Sequence, residues 1–202
     1  MKKKKVLITI LIVLFIYFVG GIVYGFIKPK VSKKGRVLNK VQIKGFNYLL
    51  SEDDPKIYKD EFNILKKNLE SSNINYLEYA HSISKMFLID LYNLSGKKNM
   101  YDVGGVEFVY PDNVDNYKLN VTNTLYKYMI DNSDGKREQI LPTVSGVNVT
   151  SDEETTFKRK DEEYNGYKLN LEISYVEDLG YDNVVELILV RKDKYLYVVE
   201  KN

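Results

Sequence analysis

The chain has 202 residues, with 30 basic and 28 acidic side chains, 18 tyrosines and no cysteine. The missing thiol excludes disulfides, thiolate metal centres and an acylated lipoprotein anchor. Setting aside the first 27 residues removes four of the 30 basic groups and none of the 28 acidic ones, which leaves a net charge of −2; this near-neutral remainder, without basic and aromatic residues interleaved, excludes a nucleic-acid partner.

Lys2, Lys3, Lys4 and Lys5 make residues 1–5 a basic cytoplasmic tail, and the 22 residues from Val6 to Ile27 carry no charge. As a helix rising about 1.5 Å per residue, that run reaches roughly 33 Å, enough for a hydrocarbon core of about 30 Å. Residues 6–27 are therefore predicted to be a single transmembrane helix, with the bilayer as the first partner. A cleaved signal peptide has a shorter apolar region and a small-x-small site, whereas here Gly20, Gly21 and Gly25 sit among large residues. Lys28, Lys30, Lys33, Lys34 and Arg36 balance the leading lysines, so loop charge alone does not orient the helix. A short lysine cluster before a long apolar run is the pattern of an uncleaved signal anchor. The expectation is a cell-membrane protein with its C-terminal domain extracytoplasmic. The alternative is a cytoplasmic domain whose basic stretch lies on anionic lipid.

Residues 28–53 read as a juxtamembrane tether, since Pro29 and Gly35 discourage a continued helix. Residues 54–202 read as one domain. Asp54-Pro55 announces a helix whose apolar face is Ile57, Tyr58, Phe62, Leu65 and Leu69, ending near Ser71. A second helix is predicted from Asn75 to Asn93, with Tyr76, Tyr79, Ala80, Ile83, Phe87 and Leu91 on one stripe facing the first. Gly96 and Gly104-Gly105 break the pattern, and Val106–Tyr110 reads as a short strand closed by Pro111. A third helix carries Val114, Tyr117, Val121, Thr124, Leu125, Tyr128 and Met129 and ends at Asn132-Ser133-Asp134-Gly135.

From Gln139 the period becomes two. In Tyr167-Lys-Leu169-Asn-Leu171-Glu-Ile173-Ser-Tyr175 every odd position is apolar or aromatic, the pattern of a half-buried antiparallel strand. Asn165-Gly166 suggests a two-residue hairpin turn joining it to Thr155–Glu163. Val184–Val190 suits a more central strand, Lys192-Asp193-Lys194 a turn, and Tyr195–Val199 the last strand.

This α+β order resembles the NTF2-like cone, in which three helices pack on a curved antiparallel sheet. The stretch SKMFLIDLYNLSGKKNMYDVGGVEFVYPDNVDNYKLNVTNTLYKYMIDN, residues 84–132, and LPTV, residues 141–144, are similar to a family of uncharacterised single-pass membrane proteins of low-GC Gram-positive bacteria. The resemblance spans most of residues 43–200 and implies a fold and a membrane setting, with no activity or functional residue to transfer. The anchor-then-cone layout is also similar to components of conjugation and type IV secretion machines, a likeness of architecture alone.

The sequence assigns no catalytic, cofactor-binding or metal-ligating residue. His81, the single histidine, has Glu78 and Lys85 at helical spacing, too few partners for a triad or a metal. Asp152-Glu153-Glu154 and Asp161-Glu162-Glu163 lack the alternating ligands and central glycine of a calcium loop and read as solvated strand ends and turns. Gly104-Gly105 does not sit between a strand and a helix as a phosphate loop would. The tyrosine excess has two sources: β-propensity, and the large area plus hydroxyl that suit recognition surfaces. The expected function is a non-enzymatic binding or scaffold module docking an envelope protein, within a secretion- or conjugation-type assembly. The alternative is an NTF2-like pocket that binds or transforms a small molecule.

Overall fold

The computed structural model describes residues 40–202. The basic tail, the helix expected over Val6–Ile27 and the tether up to residue 39 lie outside the described residues. Among the described residues no helix is long and apolar enough to cross a membrane.

The rest of the expected tether is ordered, which moves the domain start earlier than residue 54. Strands β1 (Lys40–Gln42) and β2 (Leu49–Ser51) pair antiparallel. Between them Ile43, Phe46 and Tyr48 are buried in the common core. The flanking lysines masked these three anchors in the sequence.

Helix α1 (Lys56–Leu69) buries Tyr58, Phe62, Leu65 and Leu69, as its periodicity requires. Its N-cap is Pro55, with no side-chain cap. The Asp54 carboxylate instead accepts the Ser51 N–H at 2.6 Å, fastening the helix start to β2. Helix α2 (Tyr76–Tyr92) is capped by Asn75, whose side chain accepts from the N–H groups of Leu77 and Glu78. The Asn68 side chain brackets the same residue, accepting the Asn75 N–H and donating to its C=O, so the end of α1 fixes the start of α2. Helix α2 is buried well beyond the predicted stripe, including Met86, Leu88, Ile89 and Tyr92. It contacts α1 and the main sheet, and is thus the central element. Glu61 of α1 is also buried, and its charge is met by the Ser82 hydroxyl at 2.7 Å and Lys85 at 3.5 Å.

Val106–Tyr110 is not a strand. Gly105, at φ +75°, leads into a 3-10 turn over Val106–Phe108. Only Val109 then pairs, in one parallel bridge to Val198. Pro111 ends the pairing, since it has no N–H to offer a ladder. Helix α3 covers Val114–Asn123, shorter than predicted. The Thr124 hydroxyl donates to Asn120 C=O at 2.7 Å, while the Tyr126 N–H turns back to Val121 C=O. The chain leaves the helix there, and the buried Tyr126 hydroxyl donates to Leu91 C=O at 2.6 Å and accepts the Gly104 N–H at 3.3 Å. Tyr128, assigned to the apolar face, is exposed.

Strands β3 (Val144–Arg159), β4 (Glu162–Tyr175), β5 (Val184–Lys192) and β6 (Tyr195–Lys201) form one antiparallel sheet in the order β3-β4-β5-β6. Among the described residues the fold is α+β, with three α-helices and a main sheet that does not close. Leu169, Leu171 and Ile173 are buried and Glu172 and Ser174 exposed, in the alternation predicted for β4. Val184–Val190 lies in an internal strand, as expected.

Candidate functional site: an open polar shelf on the sheet

The β3–β4 hairpin turns at Lys160-Asp161, with Lys160 at φ 56°, and not at Asn165-Gly166. Asn165 and Gly166 lie within β4, opposite Thr156 and Thr155. Gly166 is required there by close approach: a Cβ would stand 1.9 Å from the Leu189 carbonyl oxygen of β5. The displaced turn lengthens both strands beyond the first turn of α2.

A bulge decides what this extension displays. Val149 pairs with Leu171 and Ser151 with Asn170, so Thr150 is an extra residue and the parity of β3 reverses after it. The Thr150 hydroxyl donates to Asn170 C=O, and the Asn170 amide donates to the Ser151 hydroxyl, closing the irregularity. Before the bulge Val147 and Val149 share the face of Leu171 and Ile173; after it Asp152, Glu154 and Thr156 share the face of Leu169, Tyr167 and Asn165. This face carries α2, as the His81–Asp152 contact at 3.2 Å confirms. Glu153 and Phe157 are turned to the opposite face, where Lys168 bridges Glu186 at 2.9 Å and Glu153 at 4.0 Å.

Beyond the start of α2 no helix among the described residues covers the sheet, and its inner face becomes a shelf with a cavity of about 510 Å³. The shelf is lined by Glu154, Thr155, Thr156, Asn165, Gly166, Tyr167 and Arg191. Arg191 follows the inward Leu189 in β5, and its guanidinium lies 3.6 Å above the Tyr76 ring. Its Nε donates to Asp193 C=O, which fixes one side of the group. Burial raises the Tyr167 phenol above its ordinary range; Glu154 adds to the shift and Arg191 opposes it. One cation, one carboxylate, an amide, hydroxyls and an aromatic ring are thus offered on an open surface. The arrangement suits hydrogen bonding and ion pairing with a polar ligand.

Two other constellations are built differently. On the opposite face, Lys192 donates to the Tyr110 hydroxyl at 3.0 Å, which is 3.3 Å from the Tyr164 hydroxyl, and Tyr164 in turn donates to Glu162. Arg159 lies 4.3 Å over the Tyr110 ring and bonds Asp112 and Asn113. Burial alone would raise the Tyr110 phenol; the bonds to Lys192 and Tyr164 and the Arg159 charge outweigh it and hold the phenol low. Tyr110 is only 1 % exposed. Its cover consists of these long surface side chains.

The second constellation joins helix and loop. Gly105 N–H donates to the Asp90 carboxylate at 2.6 Å, and Lys97 donates to the same carboxylate. The amide that a sequence reader might aim at a phosphate is occupied by the protein's own anion. A Cβ on Gly104 would lie 2.0 Å from Asp90 C=O, which explains that glycine. Glu107 accepts the Tyr58 hydroxyl at 2.6 Å, and desolvation, with the nearby Asp90 and Asp54 charges, pushes its carboxyl up to about 7. The residue nevertheless presents an exposed side to solvent.

Among the residues discussed in the sequence, His81 and Asp152 meet at the inner border of the shelf and Glu154 lies on it. Asp161–Glu163 lie at the hairpin turn and on the exposed start of β4. Thr156, Asn165, Tyr167 and Arg191 were missed as a group. Among the described residues no group of three or more His, Asp or Glu is placed to hold a metal ion. Many tyrosines serve the core: Tyr48 and Tyr79 share a 2.6 Å hydroxyl contact, and Phe46, Tyr48 and Tyr79 pack edge or face with one another. No protein-family model, curated protein or solved structure matches the chain.

Proposed function

We propose that this protein is a membrane-anchored, extracytoplasmic binding module that docks a segment of an envelope protein on the inner-face shelf. The observation that carries the proposal is the openness of the shelf: its cavity of about 510 Å³ is a one-sided surface carrying Arg191, Glu154, Asn165 and Tyr167. Such a surface admits a protruding polar loop and leaves its ends free. The apolar run Val6–Ile27 and the leading lysines support the anchor and its orientation. Anchoring restricts the domain to a layer beside the membrane, so modest affinity suffices for membrane partners. Three helices with an open antiparallel sheet are compatible with an NTF2-like cone, and the likeness to membrane proteins of low-GC Gram-positive bacteria supplies the envelope setting. A secretion- or conjugation-type assembly is one such setting.

The second possibility is a small polar molecule on the same shelf, favoured by Arg191 held above Tyr76 beside Glu154. Crosslinking in intact cells separates the two. Docking predicts reproducible capture of one or a few envelope proteins, lost in Arg191→Ala and when residues 1–27 are deleted. No capture, together with saturable binding or turnover of a small molecule that Arg191→Ala abolishes, overturns docking in favour of the pocket. Protease added to intact protoplasts tests the topology separately: digestion of the domain is expected, and protection until lysis reverses the orientation.

A further inference from the structure

Where β6 meets the loop before α3, another cavity of about 460 Å³ shares no lining residue with the shelf. Its aromatic wall is a product of strand alternation: Leu196 and Val198 turn into the core, which leaves Tyr195 and Tyr197 together on the other side, half buried. Their rings stack with centroids 5.9 Å apart, and the Tyr48 ring stands nearly at right angles to Tyr195 at 6.1 Å.

The charges on its wall have one sign. Glu107 and Asp115 line the cavity, and no lysine, arginine or histidine is among its lining residues. Glu107 accepts the Tyr58 hydroxyl but makes no ion pair among the described residues, and its charged neighbours Asp54 and Asp90 are acids as well. Burial together with those acids holds its carboxyl at about 7, the response of a carboxylate that lacks a cation. Asp115, in the first turn of α3, is exposed and likewise makes no ion pair among the described residues. The adjoining rings already attract ammonium groups: Lys194 Nζ lies 5.4 Å from the Tyr195 centroid, and Lys192 Nζ lies 5.0 Å from that of Tyr110, which packs against Tyr197. Both lysines are engaged elsewhere, with Gly45 C=O and the Tyr110 hydroxyl, and neither pairs with Glu107.

We propose that this cavity binds a small organic ammonium ion, with the Glu107 and Asp115 carboxylates opposing its charge and the Tyr195 and Tyr197 rings receiving its alkyl body. Such a cation supplies the counter-charge that the fold withholds from Glu107. Two carboxylates do not complete the oxygen shell of a metal ion, whereas aromatic faces suit a weakly hydrated organic cation. Glu107 pairs only when ionised, so affinity rises as pH passes upward through about 7. The groups around it are Asp54, Asp90 of α2, and the phenols of Tyr48 and of Tyr58 in α1, both raised by burial and so protonated throughout that range. The site does not depend on the shelf, and either can fail without the other.

The test uses the full chain in a non-ionic detergent and titrates butylammonium chloride against backbone-amide and tyrosine-ring NMR signals between about pH 6 and 8. Neutral butanol, and sodium chloride at the same ionic strength, are the controls. Saturable shifts are expected at Glu107, Asp115, Tyr195 and Tyr197, tighter at higher pH and absent with either control. Glu107→Gln should weaken binding roughly tenfold and remove its pH dependence. Asp115→Asn should weaken it by a smaller factor, and Arg191→Ala on the shelf should leave it unchanged. Asp115 is exposed, so its variant gives an answer even where Glu107→Gln disturbs the fold. Nα-acetyl-lysine methylamide separates the sources of the ammonium group: tighter binding than butylammonium assigns it to a protein side chain, weaker binding to a free amine, and both outcomes support the site. Equal binding of butanol, affinity that falls as pH rises, unchanged affinity in both carboxylate variants, or no saturable shift would overturn the proposal.

Discussion

Gly166→Ala tests the register from which the shelf is built. The added Cβ would lie 1.9 Å from Leu189 C=O and 2.9 Å from the carbonyl carbon, both backbone atoms of the neighbouring strand. Backbone cannot swing aside as a side-chain tip does, so β4 and β5 must separate locally. Overpacking of this kind costs about 1–3 kcal/mol. For a domain of this size, 1 kcal/mol shifts the melting temperature by about 2–4 °C, so a loss of roughly 2–12 °C is expected. Gly146→Ala is the internal control: it is also in the sheet, but its Cβ would meet the Ser174 Cβ at an ordinary 3.6 Å. Thermal and urea unfolding of the two variants provide the assay. A melting temperature for Gly166→Ala equal to or above that of Gly146→Ala would refute the β4–β5 approach and return Asn165-Gly166 to a turn.

Leu171→Asp buries an unpaired charge at a position with no solvent exposure and should cost several kcal/mol, whereas the exposed Glu172→Gln should cost little in the same unfolding assay. Tyr126→Phe leaves Leu91 C=O and Gly104 N–H without their buried partner and should cost about 1–3 kcal/mol by urea denaturation. The Glu107 carboxyl, at an ordinary 4.5 when unfolded, is raised to about 7 by burial and neighbouring acids. The unfolded state therefore loses this proton first: stability is fullest below about pH 4.5 and falls as pH rises towards 7. Its exposed side allows solvent to screen the effect, and Glu107→Gln should flatten that segment of a stability–pH profile measured by denaturant melts. A profile that rises across the same window because of Glu107 would contradict the environment assigned to it.

The parts legible in the sequence are those set by local periodicity and capping. Asn75 and Asn93 bound α2 as predicted because the first has a carboxamide to offer two orphan N–H groups. Leu169, Leu171 and Ile173 alternate with polar residues because one face of β4 packs on α2. The parts that escaped depend on partners remote in sequence. Asn165-Gly166 carries turn chemistry, yet the glycine is selected by the β5 backbone, and the real turn uses Lys160-Asp161 without a glycine. Thr150 bears no mark of a bulge, although its insertion decides that Glu154 and Thr156 face inward. The short strand expected at Val106–Tyr110 failed because Gly105 begins a turn and Pro111 stops the ladder after one bridge. The third helix ends early because Tyr126 is drawn into the core by two hydrogen bonds. The shelf was visible only as fragments: acids continuing past a strand, and Arg191 after an apolar run.

The central claim is docking through one face of the sheet, and photocrosslinking resolved by face tests it directly. A photoreactive residue is placed singly at Thr156 or Asn165 on the shelf, and at Glu153 on the opposite face, in the full-length protein in intact cells. The two shelf positions should capture the same envelope protein, Glu153 should not, and Arg191→Ala should weaken the capture. Capture from Glu153 alone, equal capture from both faces, or none from the shelf would contradict docking through this face.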